Sequence, residues 1–335
     1  MKIAFFDIQP CEQELICQKF KKNQVLYSTQ SINKVSLKQF SEVEVLSVFV
    51  YSKLDAKIIA QFPNLKLIAT RSTGFDHIDL NYCKKHQITV CNVPSYGENT
   101  VAEHAFTLIS AISRRLQATI LRANKKNYTL DGLRGFDLHG KTIGVIGAGR
   151  IGKNVIKIAK GFGMEILAYD IDKDTLLAEV LDFKYTTLGN LIKQSDIITL
   201  HAPYNEKTHH LINSKNIKKM KKGVVLINTA RGGLIDTNAL LWALDKGIIS
   251  AAGLDVLEEE NLILNSKLTT EEKKNPMLAK NRKLLTNPNV LFTPHNAFNT
   301  EEAIDRITGT TIENIINFYK NDPENVVKVK QYKII

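Results

Sequence analysis

The chain has 335 residues, enough for two domains of ordinary size and too many for a single small module. Hydrophobic residues make up 44% and charged residues 24%, with no apolar run near the roughly 18 residues of a membrane-spanning helix. This composition excludes a disordered chain and an integral membrane protein. The short apolar stretch before Asp7 is too brief for a signal peptide, so we expect a cytoplasmic protein.

The net charge of +11 would suit nucleic acid, anionic lipid or an acidic small molecule. The basic residues form scattered pairs without interleaved aromatic residues, a pattern typical of solvated surface. We therefore expect neither a nucleic-acid nor a membrane partner. The four cysteines lie in the first hundred residues without Cys-x-x-Cys spacing, which indicates reduced thiols.

Short apolar runs rich in β-branched residues alternate with amphipathic stretches, and this rhythm predicts an α/β fold with doubly wound parallel sheets. The first hundred residues contain predicted strands at 2–7, 45–50, 66–70 and 88–91. A long helix is predicted over 99–124, opened by a capping box of Thr100 and Glu103. Six further strands are predicted at 142–147, 165–169, 196–200, 224–228, 251–256 and 290–293, followed by a helix over 300–319.

No linker rich in proline, glycine or serine separates these segments. If the helical tail packs back on the first domain, the boundaries fall near Thr100 and Phe298. We therefore predict a discontinuous domain of residues 1–100 plus 299–335, and a second domain of residues 101–298.

A dinucleotide-binding turn is predicted where the strand at 142–147 meets the next helix. Its residues are Gly147, Ala148, Gly149, Arg150, Ile151 and Gly152. The first glycine permits a tight turn, the second lets the backbone approach a pyrophosphate, and the third allows close packing of helix on sheet. Asp170 ends the next strand, where a carboxylate accepts hydrogen bonds from ribose hydroxyls and repels a 2′-phosphate. NAD is thus favoured over NADP, although Lys173 nearby would soften the repulsion.

Three chemical groups follow three strands of the second domain. Arg231 comes after the strand at 224–228, Glu260 after that at 251–256, and His295 after that at 290–293. Arginine binds a carboxylate with two parallel hydrogen bonds, and histidine can protonate an alkoxide. A carboxylate that is hydrogen-bonded to an imidazole favours the charged, protonated form of the imidazole. The trio predicts hydride transfer to a 2-keto acid at one sheet edge, with Arg231, Glu260 and His295 as catalytic residues.

Motifs along nearly the whole chain resemble those of the D-isomer-specific 2-hydroxyacid dehydrogenases. They are RSTGFDHID at 71–79, NVPSY at 92–96, VAEH at 101–104, the turn at 147–152, TARG at 229–232, GLDV at 253–256 and PH at 294–295. The resemblance implies two Rossmann-like domains with an active-site cleft between them. It also implies a homodimer formed through the NAD-binding domain, residues 101–298.

Further roles are implied by the resemblance alone. Arg231 would bind the substrate, with His295 as acid and base and Glu260 as its partner. Asp255 would hold the nicotinamide amide, and Thr229 and Ala230 belong to the cofactor-binding motif. The backbone N–H groups of Thr73 and Gly74 would bind the substrate carboxylate, and Tyr96 would line the substrate pocket.

Glu260 is followed by Asn261 and a long segment reaching 289 rather than by proline. In this feature the chain resembles a subgroup of the family, the fermentative D-lactate dehydrogenases. We therefore expect NADH-dependent reduction of a 2-keto acid, foremost pyruvate, to the D-2-hydroxy acid. Open alternatives are 2-ketoisocaproate, hydroxypyruvate or glyoxylate as substrate, and an NAD-sensing protein similar to transcriptional corepressors. His104 and His201 are expected to be structural. His209 and His210 lack a third ligand, so no metal is expected.

Overall fold

The structure, a computed structural model, describes residues 1–21, 24–260, 263 and 275–328. The chain forms two compact units. Unit 1 comprises Met1–Gly97 and Asn299–Ile335, and unit 2 comprises Glu98–Phe298. None of the helices described has the length and apolar character needed to span a membrane.

Unit 1 is built on a parallel sheet whose described strands follow the order β2-β1-β3-β4-β5. The strands are β1 (Ile3–Phe5), β2 (Val25–Tyr27), β3 (Val45–Val48), β4 (Leu67–Thr70) and β5 (Thr89–Cys91). The helices are α1 (Pro10–Lys19), α2 (Ala56–Ile59), α3 (Leu80–Lys85) and, from the end of the chain, α11 (Glu301–Tyr319). Every side chain of β3 and β4 is buried, as expected for strands covered on both faces.

Helix α11 closes one face of this sheet. The hydroxyl of Thr300 accepts a hydrogen bond from the N–H of Ala303 and so caps the helix at its start. Ile312 and Ile315 then pack into the same apolar cluster as strand β1. Helix α11 therefore contributes to the hydrophobic core of unit 1.

Unit 2 contains a parallel sheet with the described order β12-β11-β10-β9-β6-β7-β8. Its strands are β6 (Thr142–Ile146), β7 (Glu165–Tyr169), β8 (Lys184–Tyr185), β9 (Ile197–Leu200), β10 (Val224–Asn228), β11 (Ile249–Leu254) and β12 (Val290–Phe292). The helices are α4 (Glu98–Ser113), α5 (Leu116–Asn124), α6 (Arg150–Gly161), α7 (Thr175–Val180), α8 (Leu188–Gln194), α9 (Thr237–Asp245) and α10 (Pro276–Leu285). The strand order reverses between β6 and β9, which creates the crevice where doubly wound sheets bind ligands.

The predicted capping box at Thr100 is wrong. Helix α4 already begins at Glu98, and Thr100 is a buried residue inside its first turn. The predicted single helix over 99–124 is also interrupted, because Arg115 has φ 49°, in the left-handed region, and separates α4 from α5. Strands β2 and β8 were not predicted, and the segment from 261 to 274 lies, apart from Ile263, outside the described residues.

Candidate active site

The glycine-rich turn after β6 is shaped for close approaches of the backbone. Gly147 has φ +95°, and a Cβ there would lie 2.6 Å from the carbonyl carbon of His201, at the end of β9. A Cβ on Gly152 would lie 2.0 Å from the carbonyl oxygen of Gly147. Gly149, the N-cap of α6, differs because a Cβ there would meet nothing within 4 Å. Open space at this helix N-terminus fits a pyrophosphate, which its N–H groups would bind.

Asp170 holds the glycine-rich turn from the neighbouring strand. Its Oδ2 accepts a hydrogen bond of 2.7 Å from the N–H of Ala148, and its Oδ1 accepts one of 3.0 Å from Asp172. A carboxylate accepts about four hydrogen bonds, so both oxygens retain capacity for ribose hydroxyls. The position of Asp170 at the end of β7 therefore fits the adenosine ribose of NAD.

Arg150 and Ile151 form the first turn of α6. The guanidinium of Arg150 is largely exposed, with Nη1 3.6 Å from Glu98 Oε1, whereas Ile151 packs against the core of unit 2. Ile151 thus fixes the start of the helix against the core, and Arg150 places a cation beside it.

Arg231 lies in a turn that Asn228, the last residue of β10, holds at both ends. The buried amide of Asn228 accepts from the N–H of Ala230 at 3.0 Å and donates to the carbonyl of Arg231 at 2.9 Å. Next in the chain, a Cβ on Gly232 would lie 2.0 Å from the carbonyl carbon of Leu257. The turn carrying Arg231 therefore packs directly against the segment that leads to Glu260.

His295 and Glu260 form a hydrogen-bonded pair. Nδ1 of His295 lies 2.7 Å from Oε1 of Glu260, and the two side chains are 13% and 22% exposed, so the pair is partly screened but reachable. His295 has φ 51°, and its N–H donates to the carbonyl of Asp255 at 2.8 Å. Since β10, β11 and β12 are parallel neighbours, Arg231, Glu260 and His295 all follow strand ends at one sheet edge.

The side chain of Asp255 holds the loop of His295 by hydrogen bonds to its backbone. Its carboxylate accepts hydrogen bonds from the N–H groups of Asn296 at 2.8 Å and Ala297 at 3.0 Å. Thr293 Oγ1 also donates to it, and Nε2 of His104 lies 3.4 Å away. Burial raises the pKa of Asp255, but the hydrogen bonds from His104, Thr293 and Asn296 outweigh burial and hold that pKa below its ordinary value.

Other residues of this site were given no role by the sequence, as Thr293 and Glu258 were, or were expected to be structural, as His104 was. Thr293 and His104 reach Asp255 from positions distant in the chain, and their Oγ1 and Nε2 atoms are 2.9 Å apart. Glu258 accepts from Thr237 and pairs with His210 at 2.7 Å, which connects the segment before Glu260 to the start of α9 and to the loop of His210. Spacing in the sequence gives no signal for such contacts.

Thr73 and Gly74, in unit 1, follow strand β4. Asn92 Nδ2 donates to the carbonyl of Thr73 at 2.8 Å, and Ser72 Oγ donates to that of Gly74 at 2.6 Å. Within the described part of the chain, no protein acceptor is bonded to the N–H of Thr73 or of Gly74. Both N–H groups can therefore donate hydrogen bonds to a bound anion. Tyr96, in the same unit, is half-buried, and its carbonyl accepts from Arg306.

Three further histidines of unit 2 bond to or stack on neighbouring side chains. His201 is half-buried and bonded to Thr199 at 2.8 Å, and the loss of solvation around its ring lowers its pKa to about 3. His209 is bonded to Tyr204 and stacks on His210. Among the residues described, no group of three or more His, Cys, Asp or Glu side chains could hold a metal ion.

A glycine-rich turn between a strand and a helix, a carboxylate at the end of the next strand and a histidine–carboxylate pair are together typical of an NAD-dependent oxidoreductase. Residues 106–297 match the family model "D-isomer specific 2-hydroxyacid dehydrogenase, NAD binding domain". A 2-hydroxyacid dehydrogenase homolog of Schizosaccharomyces pombe is 38% identical over 98% of this chain and 100% of its own length. The chain therefore belongs to the D-isomer-specific 2-hydroxyacid dehydrogenase family.

Two further proteins that this chain resembles are D-lactate dehydrogenases. The D-lactate dehydrogenase of Escherichia coli is 38% identical over 83% of this chain and 84% of its own. The crystal structure of D-lactate dehydrogenase from Aquifex aeolicus, complexed with NAD and lactic acid, superposes with a TM-score of 0.88 at 38% identity, covering 97% of this chain and 99% of that one. The protein is thus an NAD-dependent oxidoreductase of D-2-hydroxy acids with the fold of its family.

Proposed function

We propose that the protein is a D-lactate dehydrogenase, which reduces pyruvate with NADH to D-lactate and regenerates NAD. The observation that carries the proposal is the 2.7 Å bond between His295 Nδ1 and Glu260 Oε1, on the sheet edge where Arg231 also lies. We place the reaction in the cytoplasm, a reducing compartment that suits the four free thiols of the chain.

Arg231 binds the keto acid in this proposal. Its planar guanidinium remains charged and offers paired donors to the carboxylate, and it polarises the carbonyl that becomes an alkoxide. Thr73 and Gly74 supply backbone N–H groups to the same carboxylate, and Tyr96 lines the pocket. The assignment of these three residues rests on the resemblance of motifs 71–79 and 92–96, together with the unbonded N–H groups of Thr73 and Gly74.

His295 supplies the proton. Because its Nδ1 is bonded to Glu260, Nε2 is the atom that exchanges a proton with the alkoxide oxygen of the substrate. Glu260 stabilises the imidazolium form and fixes the ring orientation. In the oxidative direction the same nitrogen accepts the hydroxyl proton, so one pair serves as acid and as base.

The cofactor would be held by unit 2. The turn of Gly147, Gly149 and Gly152 would bind its pyrophosphate and Asp170 its adenosine ribose, beside Arg150 and Ile151. Thr229, Ala230 and Asp255 would contact the nicotinamide half, an assignment taken from the family motif. When bound, the nicotinamide supplies the hydride. Asp255 also orders the His295 loop through the N–H groups of Asn296 and Ala297, whichever ligand contacts it.

The proposal is tested by following NADH oxidation at neutral pH with pyruvate, 2-ketobutyrate, phenylpyruvate, 2-ketoisocaproate, hydroxypyruvate and glyoxylate, with NADPH in parallel. We expect the highest kcat/KM for pyruvate with NADH and a D product on chiral analysis. A preference for another keto acid would keep the mechanism and refute lactate as the product. Tight NADH binding without turnover of any keto acid would favour the sensing protein instead.

Variants then test the roles of the two basic residues. His295→Gln removes the proton donor, and we expect kcat to fall by about 10²- to 10⁴-fold while NADH still binds. His86→Gln is the matched control, because His86 is a histidine of unit 1 stacked on Tyr82 and outside the site. Arg231→Lys keeps the charge but loses the paired donors, so we expect mainly a raised KM for the keto acid.

We further propose that two copies associate through α5 and the loop after it. Helix α5 has no buried residue, and large apolar side chains are exposed on this segment: Leu116, Ile120, Leu121, Tyr128 and Leu130. An apolar surface of this extent on a soluble fold marks a protein interface. Light scattering should give a dimer for the wild type and a monomer for Ile120→Glu. A dimer that survives this substitution would refute the assignment of the surface.

A further inference from the structure

The loop of Thr73 and Gly74 is tied to the segment that follows β5. Asn92 Nδ2 donates to the carbonyl of Thr73 at 2.8 Å, and Thr73 Oγ1 donates to the carbonyl of Val93 at 2.8 Å. The N–H of Val93 in turn donates to the carbonyl of Ser72 at 3.1 Å. The loop is therefore held by a neighbouring segment, not only by its own turn.

The bond from Asn92 has a directional consequence. The carbonyl of Thr73 and the N–H of Gly74 belong to the same planar trans peptide group, in which they point in opposite directions. Fixing the carbonyl oxygen with the Asn92 amide therefore also fixes the direction of the Gly74 N–H. That N–H is one of the two donors proposed for the substrate carboxylate.

Asn92 is itself held by two asparagines near the end of the chain. Asn314, a buried residue of α11, donates from Nδ2 to the carbonyl of Asn92 at 2.9 Å. Asn325 accepts at its carbonyl from the N–H of Asn92 at 3.1 Å, and its Nδ2 donates to Asn314 Oδ1 at 2.8 Å. Each of these side-chain amides has a bonded partner, and Asn314 uses both of its polar atoms.

We propose that Asn92 and Asn314 are positioning residues, which act in series to aim the Gly74 N–H at the substrate carboxylate. The inference rests on the proposed function of the Thr73 and Gly74 loop. An amide suits position 314 because it donates to one partner and accepts from another, which neither a carboxylate nor an apolar side chain does. We call Asn92, Asn314 and Asn325 together the asparagine relay.

The test compares Asn92→Ala, Asn314→Ala, the double variant and the control Asn317→Ala. Asn317 lies on the same helix, and its backbone carbonyl, which the substitution retains, accepts hydrogen bonds from the N–H groups of Lys320 and Asp322. We expect KM for pyruvate to rise about tenfold in each relay variant, the effect of one misdirected hydrogen bond, with kcat changed much less. The Kd for NADH should stay at the wild-type value, since unit 2 binds the cofactor. Oxamate, an isostere of pyruvate that is not reduced, gives the matching equilibrium measurement.

If Asn314 acts through Asn92, the effects of the two substitutions on KM should not multiply. Once Asn92 has lost its amide, Asn314 reaches the loop only through the backbone bonds of Val93, and these do not hold the Thr73 carbonyl. The double variant should therefore have a KM close to that of Asn92→Ala alone. Multiplying effects in the double variant would overturn the relay, as would a wild-type KM in Asn92→Ala or a parallel loss of NADH affinity. If Asn314→Ala fails to fold, the half-buried Asn92→Ala still decides the question through KM and oxamate binding.

The relay and the proposed function fail in different ways. A wild-type protein that reduces no keto acid overturns both. A wild-type protein that reduces pyruvate, with Asn92→Ala matching its KM and its oxamate affinity, overturns the relay alone.

Discussion

Asp255→Asn should destabilise unit 2 by about 2 to 4 kcal/mol at pH 7. The carboxylate is 1% exposed and accepts hydrogen bonds from Thr293, Asn296 and Ala297. An asparagine that keeps its oxygen toward Thr293 and Asn296 turns its NH₂ toward the N–H of Ala297. That leaves a buried donor without an acceptor, which costs about 1 to 3 kcal/mol, and the other bonds lose the assistance of the charge.

The measurement is urea unfolding followed by the fluorescence of Trp242, the only tryptophan of the chain, which lies on α9 of unit 2. Asp245→Asn, an exposed change at the end of the same helix, is the control and should stay within about 0.5 kcal/mol of wild type. A loss below about 1 kcal/mol for Asp255→Asn at pH 7 would refute the reasoning.

The pH dependence gives a second check. Because the folded-state pKa of Asp255 lies below its ordinary value of 3.8, the unfolded chain takes up the proton first as the pH falls. The stability that the charge contributes is therefore complete above that ordinary value and is lost as the pH falls through the lower folded-state value. The gap between wild type and Asp255→Asn should be constant from pH 7 to about 5 and shrink below. A gap that widens in acid would contradict this sign.

Three other predictions follow from the same structure. Burial lowers the pKa of His201 to about 3, so the free energy of unfolding should fall as the pH drops below the ordinary value of 6.5. The loss should be about 2 kcal/mol at pH 5. In urea titrations, His201→Gln should remove this loss of stability in acid. Gly149→Ala should leave the melting temperature nearly unchanged yet weaken NADH about tenfold or more by fluorescence titration, whereas Gly161→Ala, also in open space, should change neither. Asp170→Ser should lower the NADH over NADPH preference in kcat/KM at least tenfold, and an unchanged preference would show that Asp170 does not select the cofactor.

The sequence allowed the α/β class and most strands to be predicted because parallel strands buried on both faces appear as continuous apolar runs. Val45–Val48 and Val224–Asn228 are entirely buried and were found within two residues of their ends. Strand β8 was missed because its two residues are partly exposed and carry no periodic signal. The capping box at Thr100 failed because that residue faces the core, where packing outweighs a local cap.

For the site, the sequence placed Arg231, Glu260 and His295 after strands at the edge where α/β sheets bind ligands, and the structure has them at that edge. Their catalytic roles stay a prediction. The sequence did not indicate His104 and Thr293 beside Asp255, or the asparagine relay. These contacts join residues far apart in the chain. Asn314 and Asn92 are brought together only by the way α11 packs on its sheet, which no local pattern encodes.

The path of the chain through unit 1 sets an order of events during synthesis. A ribosome adding about 5 to 20 residues per second needs roughly 10 to 40 s to pass from Gly97 to Asn299. Throughout that interval the apolar cluster around β1 lacks Ile312 and Ile315, while the whole of unit 2 emerges as one continuous segment. Unit 2 can thus complete its fold first. We expect a chaperone to bind the nascent N-terminal sheet, whose apolar surface is still incompletely covered.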